Sequence, residues 1–387
     1  MIIKEVRARV ISDTRGDKTI KILLITDFGK FRASAPNGKS RGKYEANPWK
    51  TSLERDIKFI NSIKPFEIKF DKFGDLINVE KMLRNKIGAN TMVAVEYAFL
   101  KAIAKQKKKQ VWQLINPNAC RFPKLIGNAI GGGRHSEGKK PDFQEFWFIP
   151  ECEIRKSVKV NKCAWRLCKK ELNKNDKNFA RRLNDENAWQ TSLDNDTIIH
   201  IMISVKEKLE KKFKCCVKIG VDCAASEFYK NGKYNYQNKK KVLNTNEQIN
   251  FIKRITERIY IIEDPFQEND FASFSVLKKN SDCLIIGDDL TVTNLTRIKK
   301  AQKEKSISAV IIKPNQNGSL IEVKEIIEYC KLNKIKTIIS HRSGETSENI
   351  LSDLAFGFQA DYIKTGILGR GRKEKLRRLV KIKKSFC

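Results

Sequence analysis

The sequence predicts an α/β protein in which a small α+β domain, residues 1–118, precedes a barrel of alternating strands and helices, residues 119–387. The barrel is indicated by six short apolar runs without polar alternation, which is typical of strands buried on both faces. Each run ends on a charged or polar residue, and from Asp288 onward the endings lie 25, 28 and 23 residues apart. That spacing holds one strand, one helix and two loops, the repeating unit of a (βα) barrel.

The first domain is predicted from a different pattern. The segments IIKEVRARVISD and TIKILLITD alternate apolar and polar residues, as half-buried antiparallel strands do. A Pro/Gly/Ser-rich stretch over 34–46 predicts a mobile loop, and NTMVAVEYAFLKAIAKQ has apolar residues at helical spacing. The segment NPNACRFP, 116–123, is the expected linker to the barrel.

Composition narrows the class of protein. No apolar window reaches the length of a membrane span, since the best one, VAVEYAFLKAIA, is interrupted by Glu96 and Lys101. The start, MIIKEVRARV, lacks the apolar core of a signal peptide. Ten cysteines without a CxxC pair favour reduced thiols. We therefore expect a soluble cytoplasmic protein without membrane contact.

The formal net charge of +33 favours contact with polyanions such as nucleic acid. The basic residues are nevertheless spread along the chain, and no zinc finger, RNP strand or other nucleic-acid module accompanies them. A solvated lysine-rich surface is the simpler interpretation. Polyanion binding is kept as the alternative.

Three carboxylates end three successive predicted strands: Asp222, Glu263 and Asp288. Strand ends of a barrel converge at one rim, where three carboxylates repel one another unless a cation lies between them. All-oxygen ligation suits Mg²⁺ better than zinc. The sequence therefore predicts a magnesium site at this rim.

Cationic groups end the next strands. Lys313 is expected beside the metal, where divalent cations and Lys364 should lower its pKa and make the amine a base. His341 follows the next strand, and the adjacent Arg342 and Ser343 suit a phosphate or carboxylate group.

A candidate acid is Glu186, in the string NDENAW, which we assign to the second barrel strand. A base and an acid on opposite sides of a metal-bound anion can remove a proton next to a carboxylate and expel a β-hydroxyl. This layout predicts a dehydration reaction.

Several strings together resemble the enolase family, the phosphopyruvate hydratases, over nearly the whole chain. They are DTRGDKT, APNGKSRGKYEA, GGGRHSEGKKPDFQEF, NDENAW, GVDCAASEFYKNGKY, IEDPF, DDLTVTN, KPNQNGSL, SHRSGET and IKTG. The resemblance implies a capping α+β domain followed by a barrel of the enolase type, ββαα(βα)₆.

The resemblance also implies roles in the reversible dehydration of 2-phosphoglycerate to phosphoenolpyruvate. Lys313 would remove the C2 proton, and Glu186 would protonate the departing C3 hydroxyl. Two Mg²⁺ per site are implied, the second arriving with substrate. The implied metal ligands are Asp222, Glu263, Asp288 and, from the mobile loop, Ser40. The implied substrate-binding residues are His135, Gln144, Glu145, His341, Arg342, Ser343 and Lys364.

The chain departs from the family at several points. The usual GDEGG is Asn184-Asp185-Glu186-Asn187-Ala188 here, and asparagine is expected to supply the left-handed conformation that glycine would. The mobile loop carries the extra cations Lys39 and Arg41. We expect a homodimer or higher homo-oligomer. The alternatives are an acid-sugar enzyme of the same superfamily, which would show K-x-K on the second barrel strand, and a basic homologue that binds RNA or another polyanion.

Overall fold

The computed structural model describes residues 1–39 and 42–386. Its N-terminal part contains a four-stranded antiparallel sheet with the strand order β3-β2-β1-β4. The strands are β1 (Ile2–Ser12), β2 (Lys18–Thr26), β3 (Gly29–Ser34) and β4 (Phe66–Glu67). Alternation along β1 buries Val6 and Ala8 and exposes Arg7 and Arg9. The two predicted half-buried strands are confirmed.

Four helices accompany this sheet. They are α1 (Leu53–Asn61), α2 (Leu76–Leu83), α3 (Ala89–Gln106) and α4 (Val111–Ile115). Helix α3 is apolar around most of its circumference, and it is buried because β2 and β3 cover one side. The predicted boundary between residues 118 and 119 lies between α4 and the first barrel strand, and the division into two domains stays a prediction.

Twelve further strands follow. They are β5 (Lys124–Gly131), β6 (Glu145–Pro150), β7 (Trp189–Gln190), β8 (Val217–Asp222), β9 (Tyr229–Lys230), β10 (Lys233–Tyr236), β11 (Lys241–Leu243), β12 (Ile261–Glu263), β13 (Leu284–Gly287), β14 (Ala309–Ile312), β15 (Lys336–Ser340) and β16 (Tyr362–Lys364). Strands β9, β10 and β11 form a small separate sheet. The others form one sheet, ordered β16-β15-β14-β13-β12-β8-β6-β5-β7, and β16 also pairs with β5. That last pairing closes an eight-stranded barrel, with β7 attached outside the ring.

All six apolar runs of the second half form strands of this barrel, from β8 to β16, and neighbouring strands among them pair in parallel. The barrel opens differently, because β6 runs antiparallel to both β5 and β8. As a result the first residue of β6, Glu145, lies at the rim where the parallel strands end. The predicted ββαα(βα)₆ architecture is confirmed.

Nine helices surround the barrel within the described ranges. They are α5 (Ile154–Asn175), α6 (Asn195–Phe213), α7 (Thr245–Thr256), α8 (Phe271–Lys279), α9 (Leu295–Lys303), α10 (Pro314–Asn317), α11 (Leu320–Leu332), α12 (Leu351–Gly357) and α13 (Arg372–Lys384). Helix α6 begins where the Asp194 side chain accepts hydrogen bonds from the Asp196 and Thr197 amides. None of the helices in residues 1–39 and 42–386 has both the length and the apolar character needed to span a bilayer.

The barrel interior is filled by branched and aromatic side chains and is not a pore. They are Ile126, Trp147, Ile149, Ile261, Ile286, Ala309, Ile311, Ile338 and Tyr362. Gly220 of β8 lies against this layer, because a β-carbon there would fall 2.1 Å from the Ile261 Cγ2 atom and 2.7 Å from its carbonyl oxygen. The absence of a side chain thus lets β8 and β12 approach.

We predict that Gly220→Ala lowers the free energy of unfolding by about 1–3 kcal/mol, because the added methyl group forces two neighbouring barrel strands apart. Urea unfolding followed by circular dichroism measures this. Gly74→Ala is the matched control, since a β-carbon added at Gly74 would have no neighbouring atom within 4 Å, and its effect should stay within about 0.5 kcal/mol. Equal stability of the two variants would contradict the packing argument.

Candidate active site

The polar residues that end the barrel strands lie together at one rim. They line a single cleft of about 600 Å³ between the barrel and the N-terminal residues Gly38, Lys39 and Glu45. The predicted residues among its lining are His135, Gln144, Glu145, Glu186, Asp222, Asp288, Lys313, His341, Arg342, Ser343 and Lys364. Glu263 is fully buried and reaches the site through its contact with Lys364. Ser40 lies outside the described residues.

The strand register places three carboxylates side by side. Glu145 of β6 pairs with Asp222 of β8, which in turn pairs with Glu263 of β12. The Lys364 Nζ atom lies 3.1 Å from a Glu145 oxygen, 3.1 Å from both Glu263 oxygens and 3.5 Å from an Asp222 oxygen. One buried ammonium group therefore compensates three buried carboxylates. Burial by itself lowers the pKa of Lys364, but Glu145 and Glu263 outweigh it and hold the pKa well above its usual range.

Lys313 forms an ion pair with the fourth carboxylate, Asp288. Burial lowers the pKa of Lys313, but the charge of Asp288 outweighs that effect, so the net shift is upward. The negative charge of Asp288 acts directly on the amine and produces this upward shift. The lowered pKa was expected for Lys313 beside divalent cations, and that expectation stays a prediction.

Asp264 is a site residue that the sequence analysis missed. Its backbone has a φ of 41°, and its two oxygens accept hydrogen bonds from the Asp288 amide at 3.1 Å and the Asp289 amide at 2.6 Å. Asp264 thus fixes the turn that follows β13 and orients Asp288. Asp289 also faces the cleft, and burial together with the Asp288 charge raises the pKa of Asp289 to about 8. Asp264 belongs to the string IEDPF and Asp289 to the string DDLTVTN. These two strings were the features of the sequence that could have identified them as site residues.

The acidic cluster fits a hard divalent cation. Oxygens of Glu263, Asp264 and Asp288 lie within 4.8 Å of one another. Asp288 Oδ1 is buried and has no hydrogen-bond partner among the described residues, so one carboxylate oxygen is free to ligate. Both Asp264 oxygens are used by backbone amides, which favours Glu263 and Asp288 as ligands. Asp222 as the third ligand stays a prediction.

Glu186 does not lie on a barrel strand, so its assignment to the second strand is wrong. It belongs to the loop between α5 and β7, because the second barrel strand is β6 and two helices intervene before β8. The Asn184 side-chain oxygen holds this loop by accepting hydrogen bonds from the Glu186 amide at 3.0 Å and the Ala188 amide at 2.9 Å. Asn187 has a φ of 64°, as expected for the residue that replaces glycine.

Glu186 itself is buried and points into the cleft. Asn128 Nδ2 donates to its Oε2 at 3.3 Å, and the His341 Nε2 atom lies 3.8 Å from its Oε1. Glu145 is close enough that burial first, and the Glu186 charge second, raise the pKa of the Glu145 carboxyl. Two carboxylates thus face each other on the side of the cleft away from β14, which carries Lys313 at its end.

The pKa values of the two histidines of the site are shifted in opposite directions. His135 Nδ1 lies 2.7 Å from Asp185 Oδ1, and although burial lowers the pKa of His135, Glu186 and Asp185 outweigh burial and raise it. Burial and the nearby cations Arg372 and Lys375 hold the pKa of His341 well below its usual range. His341 is therefore neutral at physiological pH, whereas the protonated form of His135 is favoured.

The N-terminal part contributes two side chains, those of Arg15 and Glu45, and the backbone amide of Lys39 to the site, and the sequence analysis gave none of them a role there. Both Glu45 oxygens accept from the Arg342 guanidinium, at 3.0 to 3.3 Å. The Ser343 hydroxyl oxygen accepts from Arg15 Nη1 at 2.6 Å and from the Lys39 amide at 2.9 Å. Arg15, Lys39 and Glu45 thereby connect the N-terminal part to the SHRSGET turn. The strings DTRGDKT and APNGKSRGKYEA contain these residues and were their only sequence signal.

The fold and the site define a class: barrel proteins with a carboxylate cluster suited to a divalent cation, set beside buried lysines at the strand ends. Comparison with known proteins narrows it. A family profile described as "Enolase, C-terminal TIM barrel domain" matches residues 120–387. The chain belongs to the enolase family, whose members are enzymes.

Comparison with full-length relatives supports the same family. The enolase of Methanosphaera stadtmanae is 34% identical over 405 residues, which cover 100% of this chain and 97% of that protein. The enolase of Methanothermobacter thermautotrophicus is 33% identical over 100% of this chain and 97% of its own length. That of Pyrobaculum aerophilum is 34% identical, with 99% and 96% covered. The similarity therefore includes the N-terminal part as well as the barrel.

We predict that NMR titration separates the two site histidines. The His135 signal should move at a pH above the ordinary value of 6.5, while the His341 signal should move only at a pH well below that value. The chain has three histidines, so His→Gln variants assign the signals. The stabilisation by protonated His135 is present below the unfolded-state pKa and is lost as pH rises through the folded-state pKa. A His341 that titrates before His135 contradicts the description.

Proposed function

We propose that this enzyme interconverts 2-phosphoglycerate and phosphoenolpyruvate by reversible dehydration. The observation that carries the proposal is the placement of a lysine, Lys313, and a buried carboxylate, Glu186, in one cleft whose floor is a carboxylate cluster. The relatives named enolase support the same reaction. Each role below follows from what these side chains can do in that cleft.

The ligands we propose for Mg²⁺ are Asp222, Glu263 and Asp288. When bound, Mg²⁺ supplies Lewis-acid stabilisation of the negative charge that develops on the substrate carboxylate. We further propose two ions per site, the second one bound with substrate and ligated in part by Ser40, which lies outside the described residues.

Lys313 is the proposed base that removes the C2 proton. A lysine can act as a base only after losing its own proton, and the Asp288 ion pair opposes that loss. Asp288 must therefore be engaged elsewhere before Lys313 is competent, which agrees with its proposed role as a ligand. Burial of Lys313, together with the charges of Arg342 and Lys364, then lowers its pKa towards the working range.

Glu186 is the proposed acid that gives a proton to the departing C3 hydroxyl. Burial first, and the Glu186 charge second, raise the pKa of its neighbour Glu145. Asn184 fixes the Glu186 backbone, and the Asn128 amide orients its carboxyl group. Glu145 is thus a positioning residue for the acid.

Arg342 and Ser343 are the proposed phosphate ligands, since a guanidinium fork and a hydroxyl suit a phosphate. Glu45 already accepts hydrogen bonds from both Nη atoms of Arg342, so substrate phosphate must share the guanidinium fork or displace Glu45. The remaining proposed substrate contacts are those of His135, Gln144, His341 and Lys364.

We also propose that the protein is cytoplasmic and forms a homodimer or higher homo-oligomer. All nine cysteines within the described ranges are free thiols, which supports a reducing compartment. Light scattering of the purified protein tests the oligomeric state.

We predict that Lys313→Ala lowers the turnover number by about 10²–10⁴-fold, since the proton acceptor is removed. Phosphoenolpyruvate absorbance measures turnover, and circular dichroism checks the fold. Lys334→Ala is the matched control, because Lys334 follows α11 at the opposite end of β15 from the cleft. Substantial turnover by Lys313→Ala would remove this residue as the base.

We predict that a magnesium chelator abolishes the dehydration of 2-phosphoglycerate and that excess Mg²⁺ restores it. Asp288→Asn should raise the Mg²⁺ concentration needed for half-maximal turnover, because it removes the charge of a ligand. A panel of non-phosphorylated acid sugars serves as the comparison substrate set. Activity on that panel without activity on 2-phosphoglycerate would exclude the proposed reaction.

A further inference from the structure

A second large concavity lies on the outside of the barrel, between helices α5 and α13. Its volume is about 1310 Å³, and we call it the α5–α13 groove. Its lining consists of Val158, Lys162, Ile367, Leu368, Gly369, Lys373, Leu376, Arg377, Val380, Lys381 and Lys384. None of these residues belongs to the candidate active site.

The rim of the groove is cationic. Lys373, Arg377 and Lys381 follow one another at four-residue intervals along α13, so their side chains lie on the same face of the helix. Lys384 continues this stripe, and Lys162 faces it from α5. All five are exposed, and none of them has a carboxylate within ion-pair distance in the part of the chain that the structure describes. Like charges at this spacing cost stability in an isolated helix, so α13 gains nothing from the stripe by itself.

The floor of the groove is apolar. Leu376 and Val380 of α13 and Val158 of α5 lie between the cationic stripe of α13 and Lys162 of α5, and Ile367 and Leu368 complete the apolar lining. Ile367 and Leu376 are buried, whereas Val158, Leu368 and Val380 are half-buried. An apolar floor between cationic edges is complementary to an acidic segment that also carries apolar side chains.

We propose that the α5–α13 groove binds an acidic amphipathic helix of a partner protein. Its apolar face would pack on the floor and its carboxylates would pair with the five cations, which is the helix-in-groove mode of recognition. The 13 residues of α13 give a helix of about 20 Å, long enough to face three to four turns of a ligand helix.

The charge and shape of the groove argue against three other occupants: nucleic acid, a bilayer surface and a second copy of this chain. Nucleic acid is bound by a cationic groove together with aromatic stacking platforms, and no aromatic side chain is present among the described lining residues. A bilayer surface does not fit into a concavity. A second copy of a chain with a net charge of +33 brings further positive charge to a positive rim.

The test uses a fluorescein-labelled synthetic peptide of about 14 residues with leucine every third or fourth position and glutamate on both flanks. Fluorescence anisotropy with the full-length protein measures its affinity. The comparison ligands are a peptide of the same composition in scrambled order, polyglutamate, single-stranded RNA and phosphatidylserine vesicles. We expect the amphipathic peptide to bind at least about tenfold more tightly than the scrambled one.

The groove variant is Lys373→Glu/Arg377→Glu/Lys381→Glu, and it should weaken peptide binding by at least about tenfold. The matched control is Lys253→Glu/Arg254→Glu/Lys303→Glu, which changes the net charge equally at exposed positions on α7 and α9 and should leave affinity within about twofold. Turnover of 2-phosphoglycerate and circular dichroism confirm that both variants are folded. If the glutamate variant unfolds, the corresponding glutamine variant and Val380→Gln replace it, with the same expected loss.

Three results would overturn the proposal. Equal affinity for the amphipathic, scrambled and polyglutamate ligands would mean that charge alone binds them. RNA or vesicle binding that exceeds peptide binding and is lost in the groove variant would assign the groove to that ligand. A smaller molecular mass of the groove variant in light scattering would make the groove a contact between copies of this chain.

Discussion

The balance between buried carboxylates and buried amines is the constraint on which the site depends. Strand register brings Glu145, Asp222 and Glu263 next to one another in a place from which water is largely excluded. Burial and the neighbouring carboxylates raise the pKa of each of the three, and Lys364, within 3.5 Å of all three, opposes that shift in part. Lys313 does the same for Asp288. The lysines therefore hold the cluster together, and any ligand of the cluster has to compete with them.

Competition between Lys313 and a metal ion for Asp288 would link the proposed metal site to the proposed base. A base must be neutral, and the only carboxylate paired with Lys313 among the described residues is a proposed metal ligand. In the proposed mechanism, ligation by Asp288 would leave the Lys313 amine without its ion pair. The hydrogen bonds of Asp264 to the Asp288 and Asp289 amides would hold the Asp288 backbone in place during that change.

The barrel strands and most of the site residues could be predicted from the sequence, for a physical reason. Parallel barrel strands are buried on both faces, so they stand out as apolar runs, and their ends carry the reactive groups; Asp222, Lys313 and Lys364 were found in that way. The antiparallel β6 breaks the rule, since its functional residue, Glu145, begins the strand instead of ending it. Glu186 was assigned to the second barrel strand, but it lies in the loop that precedes the two-residue β7.

Contacts across long sequence separations could not be predicted. Glu45 and Arg342 are 297 residues apart, and no periodic pattern connects them. The net charge of +33 was equally ambiguous, because a sequence does not say which cations share a surface. The structure separates the two kinds of charge: carboxylates concentrate in the cleft, and among the described residues a cationic stripe on α13 without carboxylate partners borders the α5–α13 groove.

The central claim is that Lys313 is the base and Glu186 is the acid. It is tested most directly by hydrogen exchange at C2 of 2-phosphoglycerate in D₂O with Mg²⁺, followed by NMR. With Glu186→Gln, deuterium should enter C2 although phosphoenolpyruvate does not accumulate, because Lys313 still exchanges the proton. With Lys313→Ala, exchange should be lost. Exchange that persists without Lys313 and disappears without Glu186 would reverse the two roles and contradict the account.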